Sequence, residues 1–100
     1  MDSRRAGKVN NRSKARMKTV YYFTAEWCQP CKRTRPIVED LNRDQTIAGF
    51  QIIDVDVNSE LVKNFNIQSV PTFILFENGE EKNRIIGGQT KESLEKFING

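Results

Sequence analysis

The segment AEWCQPCK, residues 25–32, contains both cysteines of the 100-residue chain, Cys28 and Cys31. Before it, residues 18–24 (KTVYYFT) are rich in β-branched and aromatic side chains, with apolar groups on both faces, which is typical of a central strand covered on both sides. After it, apolar and small side chains recur every three or four residues, which predicts an amphipathic helix over about 29–43. Both cysteines therefore lie at the junction of a strand and a helix N-terminus.

A second strand and a short helix are predicted in the middle of the chain. In QIIDVDV, residues 51–57, apolar side chains alternate, and this predicts a strand with Ile53, Val55 and Val57 on one face. Ser59 is a residue type that caps helices, and the apolar residues after it share one face of a short helix.

The last third of the chain predicts a hairpin and a closing helix. Residues 71–88 read as two antiparallel strands, with Asn78 and Gly79 supplying the positive φ angles of a tight turn. Thr90 is expected to cap a final helix, whose inward residues are Leu94, Phe97 and Ile98. The sum is βαβαββα, an α/β fold with a mixed four-stranded sheet flanked by helices on both faces.

Charge is distributed unevenly along the chain. Residues 1–17 carry six Lys or Arg and one acid, whereas residues 18–100 carry ten basic and twelve acidic side chains. A segment with few large apolar side chains cannot offset the entropy of ordering itself, so we expect a disordered basic tail at 1–17 and one domain at 18–100. We interpret the tail as a solvated extension, with a phosphate-binding arm or an organelle transit peptide as alternatives.

The composition predicts a soluble, cytoplasmic protein, and we expect it to be a monomer. No apolar run approaches the ~20 residues of a membrane-spanning helix, and no apolar segment follows the basic N-terminus as a secretory signal requires. We expect no membrane association. Nucleic-acid binding is not favoured, because the tail has no aromatic side chain for base stacking.

Two cysteines at this spacing allow three kinds of site. A structural disulfide closing a four-residue ring adds little stability. A zinc site needs about four ligands, usually Cys and His, but the chain has no histidine and no third cysteine, so we expect no metal. Redox chemistry needs two thiols that can form a disulfide at a helix start, and this interpretation is favoured.

The spacing also predicts separate roles for the two thiols. Cys28 precedes the first helical turn, where unpaired N–H groups and the helix dipole favour a thiolate, so it is expected to be the exposed nucleophile. Lys32 and Arg33 add positive potential nearby. Cys31 lies on the apolar face, where it is expected to keep its proton longer and to act as the resolving thiol.

Several motifs occur together in a recognisable order. WCQPC is followed by Pro36 within the helix, by VPTF at 70–73, by NGE at 78–80 and by Gly87. With these motifs, residues 18–100 resemble the thioredoxin family. The resemblance implies a thioredoxin fold and dithiol–disulfide exchange, with no cofactor beyond the redox-active disulfide of the two cysteines.

The resemblance also implies how a substrate is bound. In the family the proline matching Pro71 follows a cis bond beside the cysteines, so Val70–Pro71 is expected to be cis and to pair with a substrate chain as an added strand. Trp27 matches the family's flat apolar lid. The other residues expected to line a docking surface for extended peptide are Gln29, Pro30, Ser69, Gly87 and Gly88.

The chain departs from the family pattern in three places. Gln29 stands where the commonest motif has glycine. Tyr22 replaces a buried aspartate and Ile52 replaces its lysine partner, so the usual proton acceptor for Cys31 is missing, and water, the Tyr22 hydroxyl and Glu26 stand as alternatives. The family's first strand and first helix are expected to be lacking, which gives a trimmed thioredoxin.

The resemblance implies a protein-disulfide reductase with roles in electron transport and cell redox homeostasis. A flavoprotein of the thioredoxin reductase type is the expected electron donor, and ribonucleotide reductase or a peroxidase are examples of expected substrates. One alternative is a glutaredoxin-like enzyme recharged by glutathione. The other is a non-catalytic adaptor with the same fold, whose basic tail binds nucleic acid.

Overall fold

The computed structural model describes residues 18–44 and 49–99. Its seven elements have the following bounds: β1 Lys18–Thr24, α1 Gln29–Asp44, β2 Gly49–Asp54, α2 Ser59–Asn64, β3 Thr72–Glu77, β4 Glu80–Ile86 and α3 Lys91–Asn99. The predicted order βαβαββα is confirmed. The predicted tail, and with it the absence of the family's first strand and helix, concerns residues 1–17, which lie outside the described residues.

The four strands form one mixed sheet in the order β2-β1-β3-β4. Strand β1 pairs in parallel with β2, from Thr19 opposite Gly49 to Thr24 opposite Asp54. It pairs antiparallel with β3, and β3 pairs antiparallel with β4. The α1 crossover between β1 and β2 is the connection that a parallel pair requires, and it brings the helix N-terminus to the carboxyl end of β1.

Both faces of the sheet are covered by helices. On one face, α1 and α3 pack on a core that includes Val20, Val38 and Leu94, all fully buried. On the other face, a cluster that includes Phe23 and Ile74 is covered by apolar residues in and around the short helix α2. Burial of these apolar groups is the dominant favourable contribution to the fold, and it fixes the position of α1 against the sheet.

Strand β2 differs from its predicted bounds. It ends at Asp54 rather than at residue 57, and Val57 is 76% exposed, so the prediction of Val57 as a strand residue on the same face as Ile53 is wrong. The Asp56 N–H donates to Asp54 Oδ1 at 2.8 Å, and the Asn58 side chain donates to the Asp54 carbonyl at 2.9 Å. These local bonds turn the chain out of the sheet, because Asp and Asn side chains compete with strand pairing.

The two shorter helices begin differently. Ser59 is the first residue of α2 rather than its cap, and Asn58, the residue before the helix, makes no capping bond with its side chain. The Ser59 cap prediction is therefore wrong. At α3, Thr90 Oγ1 accepts the Ser93 N–H at 3.0 Å, which confirms that cap.

The hairpin is confirmed as predicted. Asn78 and Gly79 join β3 to β4, and both residues have positive φ, 55° and 87°. Within residues 18–44 and 49–99, no helix has the length and apolar content needed to cross a membrane.

Candidate active site

A tight turn brings Cys28 to the N-terminus of α1. The Cys28 N–H donates to the Ala25 carbonyl at 3.2 Å, which closes a turn with Glu26 and Trp27 at its corners. The Cys28 carbonyl then accepts the Lys32 N–H at 3.1 Å, the first bond of the helix. Cys28 therefore occupies the N-cap position, as the sequence predicted.

The two cysteines form a disulfide across the first turn of α1. Their Cα atoms lie 5.2 Å apart, within the range that a disulfide requires. The Cys31 N–H points at Cys28 Sγ across 3.2 Å. In the reduced protein the same N–H would donate to a thiolate, as a capping oxygen accepts at other helix starts. This geometry favours negative charge on the first sulfur.

Both cysteines are shielded in the disulfide form. Cys28 is 5% exposed and Cys31 is 1% exposed, so the expectation that Cys28 is an exposed residue is wrong for this state. Together with Ala25 they form a small buried cluster, against which Val55 and Val70 pack. The difference between the two cysteines lies in position rather than in exposure, because only Cys28 precedes the helix.

The predicted cis proline lies beside the disulfide. The Val70–Pro71 bond is cis, which confirms the prediction. The Val70 carbonyl oxygen lies 3.6 Å from Cys28 Sγ, close enough to accept a weak hydrogen bond from a thiol in the reduced protein. The Gly87 N–H donates to the Pro71 carbonyl at 2.8 Å, so the segment before β3 and the end of β4 are held together next to the sulfurs.

Trp27 lies in the turn directly before Cys28. It is 65% exposed, and its indole N–H donates to Asp56 Oδ2 at 3.0 Å. Trp27, Ser69 and Val70 line an open, largely apolar cavity of about 180 Å³. An exposed indole fixed at one end presents a flat apolar surface to a partner.

A groove lies on the α1 side of the disulfide. Its volume is about 460 Å³, and Pro30 and Gly88 both line it. Gly88 faces α1, because a β-carbon there would meet Thr34 Oγ1 at 3.5 Å and Pro30 Cβ at 3.8 Å. Gln29 is exposed in the first turn of the helix. The predicted site residues are thus brought together around one disulfide.

Tyr22 is fully buried behind Cys31. Its hydroxyl donates to the Cys31 carbonyl at 2.9 Å, and its ring stacks on Phe73 with centroids 4.8 Å apart. Burial raises the pKa of Tyr22 above its ordinary value. A neutral phenol whose proton is already donated to a carbonyl is a poor base, so this geometry opposes Tyr22 as the proton acceptor for Cys31.

Two residues near the disulfide were not identified from the sequence. Asp56 holds the Trp27 indole, and Val55 packs against the cysteine cluster. The alternating pattern placed both inside a strand, so it gave no indication of either contact. Among residues 18–44 and 49–99, no group of three or more His, Cys, Asp or Glu side chains is arranged to hold a metal ion.

A family model and known proteins match this chain over most of its length. The family model described as thioredoxin matches residues 7–100. The thioredoxin of Rickettsia bellii is 38% identical over 78 residues, which cover 77% of this chain and 74% of that protein. The thioredoxin of Chlamydia pneumoniae is 39% identical over 77 residues, which cover 77% of this chain and 76% of that protein.

Solved structures show the same architecture. A mutant thioredoxin from Halobacterium salinarum superposes with a TM-score of 0.78 at 33% identity, covering 91% of this chain and 80% of that one. The oxidised form of mitochondrial thioredoxin 3 from Saccharomyces cerevisiae gives a TM-score of 0.75 at 32% identity, covering 92% of this chain and 88% of that one.

Proposed function

The chain belongs to the thioredoxin family and is a thiol–disulfide oxidoreductase, and from that premise we propose that it acts as a reductase of protein disulfides. Cys28 attacks the substrate disulfide and forms a mixed disulfide with one substrate sulfur. Cys31 then attacks Cys28 Sγ, which releases the substrate as a dithiol and leaves the disulfide seen in the structure.

The observation that carries this proposal is the N-cap position of Cys28. The Cys31 N–H lies 3.2 Å from Cys28 Sγ, and the helix dipole adds positive potential at the same point. Lys32 and Arg33 follow directly in the first turns of α1. The thiolate is the nucleophilic form of cysteine, so an environment that favours it assigns the attack to Cys28.

The substrate is proposed to bind as an extended chain over the disulfide. The backbone at Val70 and cis-Pro71 is the proposed pairing edge, since main-chain bonds of an added strand do not depend on the substrate's sequence. Trp27 and Ser69 contact the substrate on one side of the sulfurs. On the other side the contacts come from Gln29, Pro30, Gly87 and Gly88. This surface is shallow, which suits proteins rather than small molecules.

Electrons are proposed to come from a flavoprotein of the thioredoxin reductase type, and to pass to proteins such as ribonucleotide reductase or a peroxidase. The Cys28–Cys31 pair is proposed to be the one redox group. The protein is proposed to act as a monomer in the cytoplasm, where it contributes to cell redox homeostasis. The relatives that support this proposal are themselves named thioredoxins. A glutathione-recharged, glutaredoxin-like cycle is the alternative that the donor assay below tests.

Two single substitutions test the assigned roles. Reduction of a protein disulfide, such as that of insulin, is measured for the unmodified protein and for Cys28→Ser and Cys31→Ser. We expect both variants to lose turnover, and only Cys31→Ser to accumulate a covalent complex with the substrate that dithiothreitol releases. Full activity of Cys28→Ser would refute the proposal, and so would a complex trapped by Cys28→Ser instead.

The electron donor is tested in the same assay. The unmodified protein is supplied either with NADPH and a flavin-dependent thioredoxin reductase or with glutathione and glutathione reductase. We expect steady turnover with the flavoprotein and little with glutathione. The reverse preference would replace the proposed donor with the glutathione system.

A further inference from the structure

We propose that Glu26 accepts the proton of Cys31 when this thiol resolves the mixed disulfide, across a cavity that contains both residues in its wall. The inference deepens the proposed function and rests on it. It concerns a step that the chain must carry out without the carboxylate that typical relatives bury at the position of Tyr22.

The resolving step needs a base. Cys31 is 1% exposed and lies among apolar side chains, a setting that disfavours the thiolate. Its thiol must nevertheless lose a proton before the sulfur can attack Cys28. The Tyr22 hydroxyl does not fill this role, because it donates its own proton to the Cys31 carbonyl.

The cavity connects Cys31 with the turn that precedes α1. It has a volume of about 340 Å³ and is lined by Thr24, Ala25, Glu26, Cys31, Lys32 and Arg35. Because a water molecule takes up about 30 Å³ in the liquid, this volume has room for several waters that can relay a proton. Glu26 contributes the one carboxylate of this lining, and its exposed position lets it pass the proton on to solvent.

The charged groups around the cavity favour this transfer. From α1, Lys32 and Arg35 lie in the wall, and their positive charge favours the thiolate that the transfer leaves on Cys31. Arg35 also forms an ion pair with Glu39, whose Oε2 lies 3.3 Å from Arg35 Nε. From β1, the group facing Cys31 is the neutral Tyr22 hydroxyl.

The two aspartates at the end of β2 and just after it make hydrogen bonds away from the cavity. Asp54, opposite Thr24 in β2, accepts the Asp56 N–H with its side chain, and Asp56 accepts the Trp27 indole N–H. Neither of these carboxylates is among the residues that line the cavity. Glu26 is therefore the acidic side chain placed to serve Cys31.

The resolving step conserves atoms and electrons. The Cys31 thiol gives its proton to the Glu26 carboxylate through cavity water, and the resulting thiolate attacks Cys28 Sγ. The Cys28–Cys31 bond forms, and the bond between Cys28 and the substrate sulfur breaks. The substrate sulfur leaves with the electron pair as a thiolate and is reduced, while the Cys31 sulfur is oxidised. Cys28 Sγ stays at the disulfide level, to which the first attack brought it. Glu26 then releases its proton to solvent.

The test separates the two sulfur attacks in one experiment. Reduced full-length protein is mixed in a stopped-flow instrument with excess dithiobis(nitrobenzoate), whose coloured thiolate is released once by each attack. The first release depends on the reagent concentration and reports Cys28. The second is first-order and reports Cys31. Both are recorded between pH 6 and pH 9 for the unmodified protein, Glu26→Gln, Glu26→Asp and the control Glu60→Gln, which removes an exposed acid on α2.

We expect Glu26→Gln to slow the first-order release about tenfold at neutral pH. This loss is smaller than general-base catalysis usually contributes to a rate, because the proton is transferred through water. The difference should shrink towards pH 9, where hydroxide takes over. The concentration-dependent release should change less than about twofold, and Glu60→Gln should leave both releases unchanged. Glu26→Asp should retain part of the rate, and added acetate should accelerate Glu26→Gln but not the unmodified protein.

Three results would overturn the inference. An unchanged first-order release in Glu26→Gln would show that solvent takes the proton unaided. A slower release without acetate rescue would show that Glu26 acts in another way. A missing concentration-dependent release in the unmodified protein would refute the proposed function itself, and the inference with it.

Discussion

Removal of the Tyr22 hydroxyl tests how this residue supports the site. Tyr22→Phe keeps the ring that stacks on Phe73 with 15° between the planes, and it deletes the bond to the Cys31 carbonyl. A neutral buried hydrogen bond contributes about 1 kcal/mol to the free energy of unfolding. We therefore expect the oxidised variant to be less stable by about 1 kcal/mol at pH 7, which lowers Tm by about 4–8 °C in a domain of this size.

The same substitution has a predicted pH dependence. Unfolded tyrosine loses its proton near its ordinary pKa of 10.0, whereas burial raises the pKa of Tyr22 in the folded protein. Above pH 10 the unfolded state binds fewer protons than the folded state, so stability falls as pH rises, by at most about 1.4 kcal/mol per pH unit for this one group. The stability that Tyr22 adds is complete below that pH and is lost above it.

Urea unfolding of the oxidised proteins between pH 7 and pH 11 measures both effects. Tyr21→Phe is the matched control, because the Tyr21 hydroxyl has no hydrogen-bond partner among the described residues. When the free energy of unfolding is plotted against pH, we expect the curves of the unmodified protein and Tyr22→Phe to converge above pH 10. Curves that stay parallel, or equal stability at pH 7, would refute the hydroxyl's role.

Two further predictions concern single residues outside the disulfide. Thr90→Ala removes the cap that accepts the Ser93 N–H and should lower the free energy of unfolding by about 1 kcal/mol, as measured by urea titration, with Thr90→Ser restoring most of it. Gly88→Ala places a methyl group in ordinary contact with Thr34, so the free energy of unfolding should change by less than about 0.5 kcal/mol. Because the methyl group enters the proposed docking surface, KM for a protein disulfide should rise about threefold with kcat unchanged. An unchanged KM would remove Gly88 from that surface.

Sequence patterns predicted the fold wherever local and long-range preferences agree. The central strand β1 was predicted with its observed bounds, Lys18–Thr24, because its residues are apolar on both faces. The hairpin turn at Asn78 and Gly79 was found because a tight turn requires positive φ there. In both cases the local sequence pattern is compatible with a single kind of secondary structure.

The errors occurred where polar side chains bind the local backbone. Alternation through Val57 predicted a longer β2, but Asp54 accepts a backbone N–H from two residues further on and the strand ends. The same turn shifted the start of α2 by one residue relative to the predicted cap. Hydrophobic periodicity cannot detect such a competition, because it does not count hydrogen bonds.

The sequence predicted which residues form the site but not how deeply they are buried. Spacing placed the cysteines at a helix start, and the family resemblance supplied the cis bond at Pro71. The low exposure of Cys28 depends on Val55 and Val70, which reach it through the folding of distant segments. The cavity shared by Glu26 and Cys31 likewise exists only once the turn and α1 are in place.

The central claim is that the N-cap position makes Cys28 the reactive thiol, and limited alkylation tests it most directly. The reduced protein is treated at pH 7 with less than one equivalent of iodoacetamide, and the labelled cysteine is located by mass spectrometry. Because thiolates and not thiols are alkylated, we expect Cys28 to react about tenfold faster than Cys31, or more. Equal labelling, or faster labelling of Cys31, would contradict the claim.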